Sequence, residues 1–228
     1  GYGSVQSFTS STSVTTISSN ISATTTWSNG IYVVDGARSV DAGVTLTISS
    51  GVIVKFKTIW SSLTVNGNLS ANGATSSKIY FTSYNDDIGG DTNGDGTTTS
   101  PAAGDWNFIR TNPGGYATLT SSIVRYAGNT TCCSGSSMSL GTEVGGNLML
   151  SNVEVATGTS YGIYSWGTTT ITNSSIATIV FIHDTHGADV VSAIDDWRRW
   201  PNFDRYDFHC DFHNQCIAEY GDACGFDW

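Results

Sequence analysis

The stretch Val44-Thr-Leu-Thr-Ile48, followed by Gly51-Val-Ile-Val-Lys-Phe56 and Leu63-Thr-Val-Asn-Gly67, decides the fold. Each segment is a short run of β-branched or aliphatic residues, and Gly, Ser or Asn separates it from the next. This pattern is typical of strands joined by tight turns. Apolar residues do not recur here at the spacing of an amphipathic helix. The stretch therefore predicts a chain built from short strands.

Similar segments recur over most of the chain. The further predicted strands are 31–34, 78–82, 106–109, 119–126, 147–155 and 168–176. Composition divides the chain into three parts: a Ser/Thr-rich segment (1–19), a strand-rich region (20–180) and an acidic tail (181–228) that carries all four histidines. After Ser192 the tail contains neither Ser nor Thr, which marks it as a separate cap or assembly segment.

Weak internal repeats indicate how the strands are arranged. Leu150-Ser-Asn-Val153 resembles Ile171-Thr-Asn-Ser174, and Leu119-Thr-Ser-Ser-Ile123 fits the same frame one repeat earlier. A period of about 20 to 25 residues made of strands and polar turns predicts a solenoid. Stacked coils bury apolar side chains that a single coil leaves exposed.

The alternative is a β-sandwich. Its hairpins would turn at the Asn-Gly pairs Asn29-Gly30, Asn66-Gly67 and Asn72-Gly73, since this dipeptide favours two-residue hairpin loops.

Residues 20–130 resemble a known family of folds. The matching segments are Thr26-Trp27, Ile31-Tyr-Val-Val34, Gly43-Val-Thr-Leu-Thr-Ile48, Gly51-Val-Ile-Val-Lys-Phe56, Leu63-Thr-Val-Asn-Gly67, Ile79-Tyr-Phe-Thr-Ser83, Asp86-Asp87, Gly104-Asp105-Trp106 and Ile123-Val-Arg-Tyr-Ala-Gly128. In order and spacing they look like the opening coils of right-handed, pectate-lyase-like parallel β-helix repeats in secreted and surface proteins of bacteria. The resemblance implies an all-β, right-handed parallel β-helix and an extracellular or cell-surface location. It implies no activity.

Composition excludes some classes of partner. The net charge is −10, and only nine basic residues are present, whereas nucleic-acid binding depends on clustered Lys and Arg. No apolar stretch reaches the roughly 20 residues that a bilayer-spanning helix needs. We expect neither nucleic-acid binding nor membrane insertion.

A calcium-type loop is predicted within residues 84–105. Asp91, Asn93 and Asp95 place oxygen ligands at alternating positions, and Gly96 allows a sharp bend. Asp86, Asp87 or Asp105 could supply further charge from beside the loop. Ala102 stands where an EF-hand would have its Glu, so an EF-hand is excluded. The alternative is a solvated acidic turn without a metal.

The five cysteines are disulfide candidates: Cys132, Cys133, Cys210, Cys216 and Cys224. An acidic chain of export-like composition favours oxidised cysteines, so the tail is expected to be an irregular, disulfide-bearing cap. A zinc site formed by Cys210, His213 and Cys216 is the alternative. The odd count leaves one thiol free or paired with another molecule.

The expected function is structural. A lyase would use a cation near bound calcium, for which Arg110 and Arg125 are candidates. An outward cation among apolar inward residues, as in the strand Ile123-Val-Arg-Tyr126, is also ordinary, so structural roles are favoured. Outward Thr rows suit ice, but Thr-x-Thr does not recur at a fixed sequence period. The sequence therefore predicts a non-catalytic extracellular structural or adhesive protein that assembles head-to-tail with itself. A carbohydrate-binding or polysaccharide-cleaving module is the alternative, with glycans as partners.

Overall fold

The computed structural model describes residues 13–130, 137–159, 161–177, 179–182, 206–210 and 216–220. These residues form strands and turns, with no helix among them. The strands are β1 (Val14–Ile17), β2 (Thr25–Trp27), β3 (Ile31–Val34), β4 (Ala37–Val40), β5 (Thr45–Ser49), β6 (Ile53–Phe56), β7 (Ser62–Val65), β8 (Asn68–Asn72), β9 (Ile79–Ser83), β10 (Ile109–Thr111), β11 (Tyr116–Thr120), β12 (Ser122–Arg125), β13 (Met138–Thr142), β14 (Asn147–Ser151), β15 (Glu154–Ala156), β16 (Tyr161–Ser165), β17 (Thr168–Thr172), β18 (Ser175–Ile176), β19 (Ile179–Ile182), β20 (Tyr206–Cys210) and β21 (Cys216–Tyr220).

The strands form three sheets. Sheet A has the order β1-β3-β6-β9-β12-β15-β18, sheet B the order β20-β21-β19-β16-β13-β10-β7-β4, and sheet C the order β17-β14-β11-β8-β5-β2. From β2 to β19 the chain visits sheets C, A and B in that order, and each strand pairs in parallel with the strand three positions later. This all-β topology is compatible with a parallel β-helix.

Short runs of alternating residues explain the core. In β5, Leu46 and Ile48 are buried, whereas Thr45, Thr47 and Ser49 between them point outward. Successive side chains of a strand lie on opposite faces, so each strand contributes apolar residues to the interior and polar residues to the outside. Stacking joins these contributions into one core, which holds Phe56 and the rest of the inward rows.

Left-handed corner residues separate the strands where the sequence predicted longer ones. The expected strands 119–126, 147–155 and 168–176 are each two strands, divided at Ser121 (φ 45°), Asn152 (φ 56°) and Asn173 (φ 48°). Asn tolerates this conformation better than most residues do. The prediction of a strand at 106–109 was wrong, because β10 begins only at Ile109.

The predicted repeat frame is confirmed by the register. Leu119 pairs with Leu150, and Leu150 pairs with Ile171. Side chains at neighbouring corners also bind each other, since the Asn152 amide donates to Ser121 Oγ at 2.9 Å. At another corner, Asn112 donates to Asn66 Oδ1 at 2.8 Å.

The Asn-Gly pairs form corners between sheets, not hairpins. Asn29-Gly30 joins β2 of sheet C to β3 of sheet A, and Asn66-Gly67 joins β7 of sheet B to β8 of sheet C. Among the described strands, antiparallel pairing is confined to β19 with β21 and β20 with β21. The facing antiparallel layers of a β-sandwich are therefore not observed in this part of the chain.

Candidate functional site

A long loop between β9 and β10 (residues 84–108) lies on the outer face of sheet A. Ile31 and Val33 point away from the core on β3, yet they are only 2% and 3% exposed. A β-carbon placed on Gly89 would lie 2.5 Å from the Ile53 side chain and 3.3 Å from that of Ile31. The loop therefore covers a sheet face that would otherwise present apolar residues to solvent.

Lys55 is buried between this face and the loop. Its side chain is fully buried, and its ammonium donates to the Gly90 carbonyl at 3.1 Å and to Thr92 Oγ1 at 2.7 Å. The Tyr84 hydroxyl donates to the Thr92 carbonyl at 2.9 Å and fixes the same turn. Burial lowers the pKa of Lys55, and the negative charges of nearby carboxylates oppose that shift. This residue was not predicted from the sequence, although a lone Lys within the apolar run Ile53–Phe56 was a signal.

Asp86 and Arg125 form an ion pair at the start of the loop. Arg125 Nη2 lies 2.6 Å and Nε 2.9 Å from Asp86 Oδ2, and the Thr82 hydroxyl donates to the same oxygen. The other carboxylate oxygen accepts from the Ile88 amide at 3.2 Å. Asp86 is only 6% exposed, so the pair is largely desolvated. In this arrangement a cation from sheet A holds the loop down.

The loop ends on a second anchor. The Asp105 carboxylate accepts from Ser83 Oγ at 2.6 Å and from the Ala102 amide at 3.0 Å. Trp106 is fully buried and stacks on Phe56, with ring centroids 3.9 Å apart. Its indole N–H donates to the Arg125 carbonyl at 2.8 Å. Trp106 is therefore a core residue and offers no platform for a sugar ring.

The predicted calcium residues form a compact turn at the loop tip. The Asp91 carboxylate accepts from the Gly94 amide at 2.7 Å and the Gly96 amide at 2.8 Å. These bonds, led by that of Gly96, lower the pKa of Asp91. Asn93 Nδ2 donates to Asp95 Oδ2 at 3.0 Å, whereas Asp95 Oδ1 is buried without a hydrogen-bond partner among the described residues.

Asp86 and Asp87 do not join this turn through any described contact. Asp86 is bound to Arg125, and Asp87 is exposed. No group of three or more His, Cys, Asp or Glu residues suited to a metal ion occurs in the described part of the chain. The Asp91–Asp95 turn does have side-chain oxygens at alternating positions, one of them unsatisfied. Calcium binding by Asp91, Asn93, Asp95, Asp86 and Asp87 stays a prediction.

The remaining candidate residues lie outside residues 84–108. Arg110 follows the loop on sheet B, where its guanidinium lies 4.8 Å from the centroid of the Phe108 ring and pairs with Glu143 at 2.9 Å. Cys132, Cys133 and Cys224 lie outside the described residues. Cys210 and Cys216 are opposite each other in the β20–β21 register, at the end of sheet B. The expected disulfides stay predictions.

Comparisons with known proteins found no match to a family model, a curated protein or a solved structure. None of the described residues belongs to a helix that is long and apolar enough to cross a bilayer.

Proposed function

We propose that this chain is a right-handed, pectate-lyase-like parallel β-helix that serves as a non-catalytic structural or adhesive module outside the cell. One observation carries the proposal: both arginines considered for lyase chemistry are engaged by carboxylates. Arg125 binds the buried Asp86, and Arg110 binds Glu143. An arginine that took a proton from a substrate would have to reach that proton, but a carboxylate already binds each of these side chains. The ion pairs therefore favour a structural role. The export-like composition and the bacterial β-helix resemblance support the extracellular setting.

Turnover of polysaccharides tests the non-catalytic part of this proposal. The purified chain is incubated with acidic and neutral polysaccharides, and unsaturated and reducing-end products are measured with and without calcium. We expect no product above the buffer control. Turnover that is lost in Arg110→Met, a variant that keeps the Arg125–Asp86 ion pair, would overturn the structural proposal and favour a lyase.

Calcium is the proposed ligand of the loop tip. Asp91, Asn93 and Asp95 would hold the ion, with Asp86 and Asp87 as the further candidates. The carboxylate and amide oxygens of these residues are the donors that calcium takes in proteins. The role of the ion would be to order the loop, which otherwise has few apolar contacts at its tip. A hard cation held there would couple the loop tip to the Lys55 anchor beneath it.

A thermal unfolding titration tests calcium binding. At a calcium concentration 100 times the dissociation constant, the folded state gains about 2.7 kcal/mol, so Tm rises with calcium and levels off. Asp91→Ala should abolish the rise. Glu154→Ala, which removes an exposed carboxylate elsewhere on sheet A, should keep it. An unchanged Tm for the unmodified chain in millimolar calcium contradicts the proposal.

Head-to-tail assembly is the second candidate function. At the first circuit, β1 and β2 are the terminal strands of sheets A and C, and β18 and β17 are the terminal strands at the other end. No described strand pairs with their outer edges, and unpaired edges can bind strands of another copy. At the end of sheet B, by contrast, β21 and β20 extend the sheet as an antiparallel hairpin. These edges of sheets A and C, which no strand in the described part of the chain covers, favour assembly.

Sedimentation velocity over a hundredfold range of concentration tests assembly. A head-to-tail contact repeats without closing, so the sedimentation coefficient should rise continuously with concentration. A truncated chain is not needed, because Thr16→Pro and Thr15→Pro serve as a pair on the terminal strand β1. The Ile31 amide donates to the Ser13 carbonyl and the Asp35 amide to the Ile17 carbonyl, so alternate residues of β1 bind β3 and the Thr16 amide faces the edge that no described strand covers. Thr16→Pro should therefore block pairing with a second copy, whereas Thr15→Pro removes an amide that faces β3 and leaves the edge donors in place. A single monomeric species at every concentration contradicts assembly.

A further inference from the structure

The outer face of sheet C is an uncharged array of small polar side chains. Its outward positions are Thr26 on β2; Thr45, Thr47 and Ser49 on β5; Asn68, Ser70 and Asn72 on β8; Tyr116, Thr118 and Thr120 on β11; Asn147, Met149 and Ser151 on β14; and Thr168, Thr170 and Thr172 on β17. No Asp, Glu, Lys or Arg occurs at these positions, although the chain has a net charge of −10. A water-exposed protein face normally mixes charges of both signs.

The register turns these side chains into straight rows. Each pairing in sheet C is parallel, and from β5 to β17 five residues pair with five without a shift. One row runs through Thr26, Thr47, Ser70, Thr118, Met149 and Thr170. Strand spacing gives a repeat of about 4.8 Å across the sheet and about 6.7 Å along each strand. The face is therefore a two-dimensional lattice in which most side chains carry a hydroxyl group.

Most of these hydroxyls are available to an external partner. The side chains of Thr47, Thr118, Thr120 and Thr170 make no hydrogen bond within the described part of the chain, in contrast to Thr172, which donates to the Leu150 carbonyl at 3.2 Å. A Thr side chain has few rotamers, so its hydroxyl and methyl group hold a fixed position. The rows thus present ordered hydrogen-bonding groups with apolar methyl groups between them.

We propose that the outer face of sheet C binds ice. The repeats of the lattice resemble those of oxygen atoms on a face of hexagonal ice, so ordered water on the hydroxyl rows can continue into the crystal. Bridging waters bind nearly as well as direct hydrogen bonds do. Ice carries no charge, and a charged side chain would keep its own hydration shell at the contact. This face is lateral, so ice binding there requires neither calcium nor end-to-end assembly.

Two larger side chains interrupt the lattice, and their replacement distinguishes ice binding from polysaccharide binding. Tyr116 is 38% exposed and Met149 is 40% exposed, and the Tyr116 hydroxyl contacts the Met149 sulfur across β11 and β14. An ice-binding face should improve when both are replaced by Thr, because the rows then continue. A face that binds a crystalline polysaccharide should lose affinity instead, because the Tyr116 ring is its aromatic surface for stacking on sugars.

Partition of the fluorescently labelled full chain into slowly grown ice tests the proposal. We expect the unmodified chain to enter the ice and Thr118→Lys to enter it about tenfold less, a change of about 1.4 kcal/mol. Thr75→Lys makes the same substitution at an exposed turn outside sheet C and should match the unmodified chain. The double variant Tyr116→Thr/Met149→Thr should enter the ice at least as well. Circular dichroism verifies that each variant is folded.

Several results overturn the proposal. Exclusion of the unmodified chain from ice does so, and so does equal partition of Thr118→Lys and Thr75→Lys. Binding to microcrystalline cellulose or chitin that Tyr116→Thr abolishes, together with exclusion from ice, assigns the face to a polysaccharide.

Discussion

The outer faces of sheets A and C are built by the same parallel circuit but present opposite surfaces. On sheet A, the outward positions include Val33, Lys55 and Thr82, which are all buried beneath the long loop. On sheet C, the corresponding positions bear Thr, Ser and Asn that remain open to solvent. The stacked circuits fix the backbone and the core, whereas the outward side chains can differ from one sheet to another. The long loop covers the outer face of sheet A, and mostly small side chains leave the outer face of sheet C accessible to solvent.

Replacement of an outward side chain should lower stability most on sheet A. Val33→Lys would place an unpaired charge under the loop, because Val33 is only 3% exposed. We expect a loss of more than about 3 kcal/mol in the free energy of unfolding, or displacement of the loop from the sheet. Urea unfolding measures the first outcome, and proteolysis of residues 84–108 measures the second. A stability equal to that of the unmodified chain would show that the loop does not cover this face.

Loss of the Arg125–Asp86 pair should be the next largest effect. Arg125→Met leaves the buried Asp86 carboxylate without its cation, and we expect a cost of about 3 kcal/mol. Arg110→Met breaks the more exposed pair with Glu143 and should cost less than about 1 kcal/mol. Adding Asp86→Asn to Arg125→Met should recover part of the loss, because no charge then remains buried. Equal costs for the two arginine variants would contradict the assignment of Arg125 as an anchor.

Removal of Lys55 should have a smaller effect at neutral pH and a distinctive pH dependence. Lys55→Met should lower the free energy of unfolding by about 1 kcal/mol at pH 7. The variant loses two hydrogen bonds, but it no longer buries a charge, and this offsets part of the loss. Burial lowers the pKa of Lys55 in the folded chain, so the unfolded chain binds more protons between that pKa and about 10.4. The contribution of Lys55 to stability therefore rises with pH in this window, and Lys55→Met should lack the rise.

Lys57 provides a control of opposite sign. Its hydrogen bond to Asp35, at 2.7 Å, raises the pKa of Lys57. A raised pKa means that stabilisation is present below the unfolded value and is lost as the pH rises through the folded value. Urea unfolding of Lys57→Met and Lys55→Met from pH 7 to 11 should therefore differ from the unmodified chain in opposite directions. The same pH profile for both variants would argue against burial of Lys55.

The smallest expected effect is on sheet C. Thr118→Lys should change the free energy of unfolding by no more than about 0.5 kcal/mol, because an outward side chain on this face has room to extend into water. Chemical denaturation compares this variant with Val33→Lys. A large loss for Thr118→Lys would indicate that another segment covers sheet C, and would also remove the basis for a binding surface there.

The strand content and much of the circuit were predictable from the sequence, because both depend on local alternation. Val34, Leu46 and Phe56 point into the core as their runs predict, and the Leu119, Leu150 and Ile171 frame matches the observed register. The loop tip with Asp91 was also visible as a motif. Lys55 was missed, since its partners Gly90 and Thr92 lie more than thirty residues away along the chain.

The amino-acid sequence determined that the chain is built from strands, that its interior is a stack of short apolar runs, and that the residues between these runs are polar and mostly uncharged. Only the tertiary structure determines which outward residues of different strands lie next to each other. Along one row of sheet C, the sequence separations are 23 residues from Thr45 to Asn68, 48 from Asn68 to Tyr116, 31 from Tyr116 to Asn147 and 21 from Asn147 to Thr168. Insertions of different lengths extend from the corners. The strand after each insertion is still in register with its neighbour, because backbone hydrogen bonds align the two strands. A fixed period in the sequence was therefore never required for regular rows of outward side chains on this sheet.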